Sequence, residues 1–484
     1  MRYGVGSTLI ADHEALLFER TLVDNDWDFF TRLLSYNRTR AKNPGDYFLF
    51  RPGLTGFLAA VDIFFRPNFF VSGLFSYALH LSACLLLFSL CHQFAGTLVS
   101  ATAVLFFATH FDTSYMFGNR HVAPYIFSLL FYGWGVSRLA FSNGKSCGAP
   151  VLLFYLASLF HENAAVAALL LGGHLFLRAW LDPKTAPVSR RQALTLCLVP
   201  IALCVAGNAL DFLIRNPTLV QTNSSNPGLL GRALLAPWLF LHVLGTYCWE
   251  WLIPQAIAQP RSWVQQVLFV GGGLAALTGF FRLTASSVPP DHSGARRWWV
   301  LSGMGYYLVA LAASLTIFRE VARLIGYAQW AKWYRYMGLF CLTPFAAWGL
   351  EQIGASLPRR KRWLVPFVSL LVLNSVLYGH LRRQALWAAD GAREAAQADA
   401  LYQIASHFPQ DSCFAGSVEP VRSYFPDILL YRLSCAARSG TPLQLSHVSG
   451  SHFALSTVTK QQTLDFDLPG LGALLAKGLP SRAK

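Results

Sequence analysis

Between residues 70 and 383 the chain is a succession of apolar runs, broken only by short polar segments. No other feature restricts the fold as strongly. A hydrocarbon core takes about 20 apolar residues of helix to cross. Inside it every backbone N–H and C=O needs a partner from the chain itself, so isolated strands are excluded and helices remain. Only 13% of the 484 residues are charged, about half the fraction typical of soluble domains. That density cannot coat a water-exposed surface of this size, so lipid must cover part of it. The 14 tryptophans fit the same reading, because Trp favours the headgroup zone. The expected fold is a polytopic α-helical membrane protein of about 10–12 transmembrane helices, with a small C-terminal α/β domain outside the membrane.

Three regions follow from hydropathy. Residues 1–69 read as a first outer loop with interfacial helices, one of them the short apolar stretch 53–65. The first ten residues are too few to span, and read either as the end of a helix or as a start just outside the membrane. Residues 70–383 form the membrane domain. Its spans are predicted near 70–94, 97–110, 121–141, 149–159 joined to 162–181, 193–214, 228–253, 263–283, 297–318, 334–354 and 363–383. Residues 384–484 are more polar. They begin with an amphipathic helix and continue as alternating short strands with Pro/Gly turns.

The net charge of +15 does not point to nucleic acid. Its Lys and Arg sit in short segments between apolar runs, where they set topology and meet anionic lipid. Three clusters are predicted to be cytoplasmic: Lys184 with Arg190–Arg191, Arg282 with Arg296–Arg297, and Arg359–Arg362. Satisfying all three requires 228–253 to begin and end on the outer side, as a hairpin broken at Pro237. The same count places 11–69, 319–333 and the C-terminal domain outside. Outer Arg319, Arg323, Lys332 and Arg335 are then either solvated or anion-binding. The protein is expected in the cell (inner) membrane.

The nine cysteines include no CxxC pair. Cys84, Cys197, Cys204 and Cys341 lie in apolar runs as ordinary core residues. Cys413 and Cys435 fall in the outer domain, as a disulfide or as two separate thiols. Gly271-Gly272-Gly273 lies inside a span and reads as close helix packing.

Several segments, in order, resemble the GT-C class of membrane glycosyltransferases, especially its protein O-mannosyltransferase-like and tetratricopeptide-linked branches. Asp12-His13-Glu14 stands where that class carries an acidic motif in its first outer loop. Phe50-Arg51-Pro52-Gly53 resembles its Tyr-Arg-Pro-Leu element, and His80 lies in the span that follows. The segment with His110, Asn119 and Arg120 resembles its Gly-Arg pattern. Glu162 matches the acid of its Ser-Lys-Glu element, and Arg335-Tyr336 its Glu-Arg-Tyr element. The likeness covers roughly residues 10–355. The sequence departs from the pattern in the inserted His13, in Phe50 and Gly53, and in a first helix that reads as missing or truncated.

The resemblance implies an enzyme that moves a sugar from a polyprenyl-phosphate donor to an acceptor glycan, lipid or protein on the outer face, by inverting displacement. Such a reaction needs a carboxylate to take the proton of the attacking hydroxyl and cations to hold the leaving phosphate. Asp12 is the candidate base and Glu14 the runner-up. Asp12 as a helix N-cap is the structural alternative. Arg335 and then Arg51 are the candidates for the phosphate, with Arg120 and Tyr336 as further binding residues. The structural alternatives are snorkelling for Arg335 and bonding to loop carbonyls for Arg51. His161 and Glu162, an ionisable pair between two apolar runs, either position a substrate, hold a divalent cation or pin the helix pair. No spacing is specific enough to assign a metal. His80 and His174 read as satisfied core residues. The rival readings are a transporter or lipid flippase, with ionisable groups at mid-membrane in repeated halves, and an inactive GT-C-like scaffold.

Overall fold

The computed structural model describes residues 27, 51–65, 69–110, 113, 123–215, 237–248, 263–289, 291–318, 332–358, 412–414, 441–449, 452–457 and 463–467. Its helices are α1 (Pro52–Phe65), α2 (Phe69–His92), α3 (Thr97–Thr109), α4 (Tyr125–Ser142), α5 (Gly148–Ser158) and α6 (Asn163–Leu181). They continue as α7 (Arg190–Arg215), α8 (237–248), α9 (Trp263–Ala285), α10 (His292–Phe318) and α11 (Lys332–Ser356). Four segments are long and apolar enough to cross a bilayer: Leu74–His92, Asn163–Leu181, Arg190–Leu210 and Val267–Ala285. At 27 and 25 residues, α10 and α11 each run for nearly 40 Å at about 1.5 Å per residue. The chain is a helical membrane protein.

Its surface says the same. α2 has apolar residues all round, and the face away from the bundle carries Leu74, Leu81 and Leu85, all exposed, while Ala83, Leu87 and Leu90 are fully buried. Leu105, Leu152, Leu177, Leu210, Val267 and Leu268 repeat that pattern on α3, α5, α6, α7 and α9. Water would make an apolar belt of this extent aggregate; lipid makes it neutral.

Two sets of contacts define the ends of the bundle. At one end the turn after α4 meets the start of α10 through Trp299 Nε1, which donates to Asn143 Oδ1 at 3.0 Å. Gln192 at the start of α7 donates to Lys145 O at 3.0 Å. Arg190 Nε donates to Ala179 O, and Arg178 Nη1 to Thr284 O and Ser286 O at the end of α9. Gln93, just past α2, reaches Ser137, and Gly96 before α3 meets Glu351 near the end of α11. Asn143 and Gly144 take the left-handed conformation (φ 48° and 75°) that this tight turn requires. At the other end Gly53, Tyr125, the corner 159–162, Asn163, Ser314 and Tyr334 come together.

Successive helices α2 to α7 therefore alternate in direction, and α9, α10 and α11 continue the alternation. α5 and α6 form an antiparallel pair with the corner 159–162 at the Arg51 end. The clusters around Lys184–Arg191 and Arg282–Arg297 lie at the same end of the bundle, and α11 finishes there, directly before Arg359–Arg362 in the sequence. That last cluster lies outside the described residues. α7 leaves for the Arg51 end and α9 arrives from it, so the chain between them starts and finishes on one side.

Close packing relies on small residues. Ala164, Ala165, Ala167 and Ala168 of α6 are fully buried. Gly172 lies against the backbone of Cys197, which sets the α6–α7 contact. At the crossing of α8 and α9, a Cβ on Gly273 would collide with Leu241 O and one on Gly245 with Phe269 O. Gly271, two residues earlier and so on the opposite side of α9, faces open space.

Beyond the helices, β1 (Ser412–Phe414), β2 (Thr441–Ser449), β3 (His452–Thr457) and β4 (Thr463–Asp467) form a four-stranded sheet in the order β1-β2-β3-β4. β1 pairs parallel to β2, and the other two pairs are antiparallel. The rest of 384–484, including the predicted amphipathic helix, lies outside the described residues, as does the predicted span 363–383.

The glycines of α9 give a direct check. Gly273→Ala is expected to destabilise the protein by roughly 1–3 kcal/mol through overpacking. Gly271→Ala is expected to be neutral or to stabilise by up to about 1 kcal/mol through helix propensity. Thermal midpoints of the two variants in detergent would separate these outcomes.

Candidate functional site

Arg51 is the centre of the polar end. It precedes α1, and the first turn of that helix rests on the α5–α6 corner, where Gly53 N–H donates to Leu159 O at 3.0 Å. A Cβ at position 53 would come within 3.0 Å of both Leu159 O and the Phe160 ring. The glycine that departs from the Tyr-Arg-Pro-Leu pattern is thus what allows the approach. That approach carries Arg51 to Glu162. Its Nε donates to Glu162 Oε2 and its Nη2 to Oε1, both at 2.8 Å. This is the planar two-point geometry for which guanidinium and carboxylate are matched. Nη1 donates to Tyr125 Oη at 2.7 Å, from the start of α4. One side chain so ties three elements.

His161 is fully buried beside this pair. Tyr125 and Tyr334 flank its ring edge to face, with centroids at 5.2 and 5.7 Å. Asn163 N–H donates to His161 Nδ1 at 3.3 Å, so Nδ1 is an acceptor and the ring proton sits on Nε2. The ring is therefore neutral, and its 3.8 Å approach to Glu162 Oε2 is not an ion pair. Asn163 Oδ1 accepts from Ser314 Oγ on α10. Among the described residues, His161 Nε2 and Asn163 Nδ2 are buried donors without an acceptor.

The titration behaviour follows from this arrangement. Burial alone would raise the Glu162 carboxyl, but Arg51 against both oxygens, with the nearby His161, holds it down to about 2. Burial lowers His161 to about 4; Arg51 adds to the effect and Glu162 opposes it. Burial works against the Arg51 charge, and Glu162 outweighs it, so the guanidinium stays protonated. At neutral pH the site holds a neutral imidazole and a matched charge pair.

The first turn of α11 supplies the rest. Tyr334 touches His161, and Arg335 is 7% exposed. Tyr336, fully buried, shares a hydrogen bond with His80 Nδ1 at 2.9 Å, and His80 Nε2 meets Ala108 O at 3.3 Å. His80 is thereby satisfied within the bundle. So is His174, whose Nε2 meets Thr284 O at 3.1 Å.

The structure thus brings Arg51, His161 and Glu162 together and adds the Arg335–Tyr336 helix end through Tyr334. Asp12, Glu14, Arg120 and Cys435 lie outside the described residues, and Cys413 lies in β1. Arg51 meets Glu162 and Tyr125 through one N–H each of Nε, Nη1 and Nη2, three of a guanidinium's five donors. Both carboxylate oxygens of Glu162 face Arg51, and His161 Nδ1 accepts from the Asn163 backbone. Among the described residues no group of three or more His, Cys, Asp or Glu is placed to hold a metal ion. Tyr125, Asn163, Ser314 and Tyr334 were not legible as site residues. Each is a single polar residue at a helix end, and only the turn of its helix points it inward.

Comparison with protein-family models, with curated proteins and with solved structures finds no match to this chain.

Glu162→Gln is expected to cost roughly 2–4 kcal/mol, below the figure for a fully buried pair because Arg51 and Glu162 keep 19% and 16% exposure. Acid sensitivity has two windows. Between pH 6.5 and about 4 the unfolded chain takes up a proton that folded His161 refuses, so stability falls as pH drops. The contribution of Glu162 is complete above 4.5 and is lost as pH falls towards about 2. Thermal midpoints measured from pH 8 to 4 should decline for wild type, and the decline should flatten in His161→Gln.

Proposed function

We propose that this chain is a GT-C-like glycosyltransferase that moves a sugar from a polyprenyl-phosphate donor to an acceptor outside the membrane. The observation that carries the reading is the segregation of charge between the two ends of the bundle. One end gathers Lys145, Arg178, Lys184, Arg190, Arg191, Arg282, Arg296 and Arg297, the pattern of cytoplasmic turns. The opposite end gathers Arg51, Glu162, His161 and Arg335, with Tyr125 and Tyr334 around them. A transporter would set such groups at mid-membrane; an enzyme using a lipid-linked sugar needs them where the headgroup lies.

In this reading the acceptor oxygen attacks the anomeric carbon as the bond from that carbon to the phosphate oxygen breaks, with inversion. Asp12 takes the hydroxyl proton, with Glu14 beside it in sequence. The departing phosphate carries the new negative charge, and Arg335 stabilises it where α11 begins, with Arg120 as a further donor. Arg51 acts through Glu162 and Tyr125 as a strut that sets the α5–α6 corner rather than as a phosphate ligand. The C-terminal domain, small, α/β and extracytoplasmic, covers or extends this end, and there Cys413 and Cys435 pair in an oxidising compartment. The neutralised Arg51 also suits an inactive scaffold, which keeps the same framework without turnover.

Transfer of radiolabelled sugar from a panel of polyprenyl-phosphate donors, in membranes, tests the proposal. Wild type is expected to transfer. Asp12→Asn is expected to fall by about 10²–10⁴-fold, the usual worth of a general base, and Arg335→Ala to lose donor binding with the fold intact. Transfer unchanged in Asp12→Asn removes Asp12 from the mechanism. No transfer from any donor, together with a measured substrate flux, favours the transporter. Non-reducing mass spectrometry should recover a peptide joining Cys413 to Cys435.

A further inference from the structure

A groove of about 570 Å³ runs along the lipid-facing side of α4, where it packs on α2. Its wall is one continuous helical face, Phe127, Leu130, Phe131, Trp134, Arg138 and Phe141, residues spaced three or four apart. Leu86 and Ser89 of α2 form the opposite side. Beside the groove α4 packs closely on α2 at Gly133, where a Cβ would stand 2.9 Å from Leu86 Cδ2. The volume falls within the roughly 300–1,000 Å³ common for small-molecule sites. Trp134 and Phe141 remain about half exposed, at 47% and 55%.

The polarity along the groove is uneven. From Phe127 to Trp134 the wall is apolar. Towards the basic end it gains Ser137 and Arg138, while Ser89 offers a hydroxyl from α2. Ser137 Oγ accepts from Gln93 Nε2 at 3.2 Å, and a hydroxyl can donate as well as accept. The Arg138 guanidinium lies 5.7 Å from the centre of the Trp134 ring. A second cation stands at the same end, the Arg296 guanidinium, 4.9 Å from the centre of the Phe141 ring. Among the described residues, no acid lines the groove. From Phe127 to Arg138 the helix rises by roughly 16 Å at about 1.5 Å per residue, the depth of a single leaflet of a core about 30 Å thick.

We infer that this groove is a binding site for one anionic phospholipid, its phosphate at Arg138 and Ser137 and one acyl chain along Phe127–Trp134. The charge complementarity identifies the headgroup: the Arg138 guanidinium and two serine hydroxyls line one end of an otherwise apolar slot, and a second guanidinium, Arg296, stands against Phe141 at that end. The direction separates this lipid from a polyprenyl-phosphate donor. The cationic end of the groove is the basic end of the bundle, about 20 Å along α4 from the Arg51 site. The inference does not rest on the glycosyltransferase reading.

Native mass spectrometry of delipidated protein, titrated with phosphatidylglycerol, phosphatidylcholine or a polyprenyl phosphate, tests it. Wild type should retain phosphatidylglycerol over phosphatidylcholine. Arg138→Gln should lower that preference about five-fold, the effect of one cation near an anionic headgroup. Leu130→Trp, which fills the slot and keeps the charges, should reduce retention of both phospholipids. Equal retention of the two by wild type overturns the proposal, as does an unchanged preference in Arg138→Gln. Displacement of phosphatidylglycerol by polyprenyl phosphate, lost in Arg138→Gln, would hand the groove to the donor and likewise overturn it.

Discussion

In a hydrocarbon environment a backbone polar group has no water to fall back on, and the rest of this molecule follows from that constraint. The chain becomes rods, and the rods bury small residues against one another and turn their leucines to lipid. Charge has nowhere to go except the ends. The alternation of α2 to α7 and of α9 to α11 then sorts those charges, so that the basic turns share one end and the Arg51 site occupies the other.

At the polar end a single ion pair joins elements that sequence separates widely. Arg51 and Glu162 are 111 residues apart, and Tyr125 stands between them in the chain. The pair forms because Gly53 lets α1 rest on the carbonyl of Leu159. Two chemically different groups result side by side: a matched charge pair, and a neutral His161 whose Nε2–H, with Asn163 Nδ2, is buried without an acceptor among the described residues. Unmet donors of this kind are costly in a core and common where a ligand or an ordered water belongs.

Much of this was readable beforehand, for identifiable reasons. The run 70–94 has no charged residue, and nothing but a helix can hold it in lipid; α2 is that helix. The basic pairs at 190–191 and 296–297 had to share a side, and the hydrogen bonds of the turns place them together. His161–Glu162 stood out as an ionisable pair between apolar runs. The partners did not stand out. The link of Arg51 to Glu162 and Tyr125 was not legible, because an arginine's partner depends on which groups folding brings to it. Asn163, Ser314, Tyr125 and Tyr334 are unremarkable in sequence, and their convergence needs four helix ends at known rotations.

The sequence alone determined that this protein is helical, that it lies in a membrane, and which turns share the basic end, because hydropathy and charge act residue by residue against the same surroundings. The tertiary structure alone decided that Arg51 is neutralised by Glu162, that His161 is neutral, that Gly273 and not Gly271 lies at a helix crossing, and that α4 presents a groove ending in Arg138. Those properties arise from pairs of groups distant in the chain, and a contact energy between two helices has no value until their separation and rotation are set.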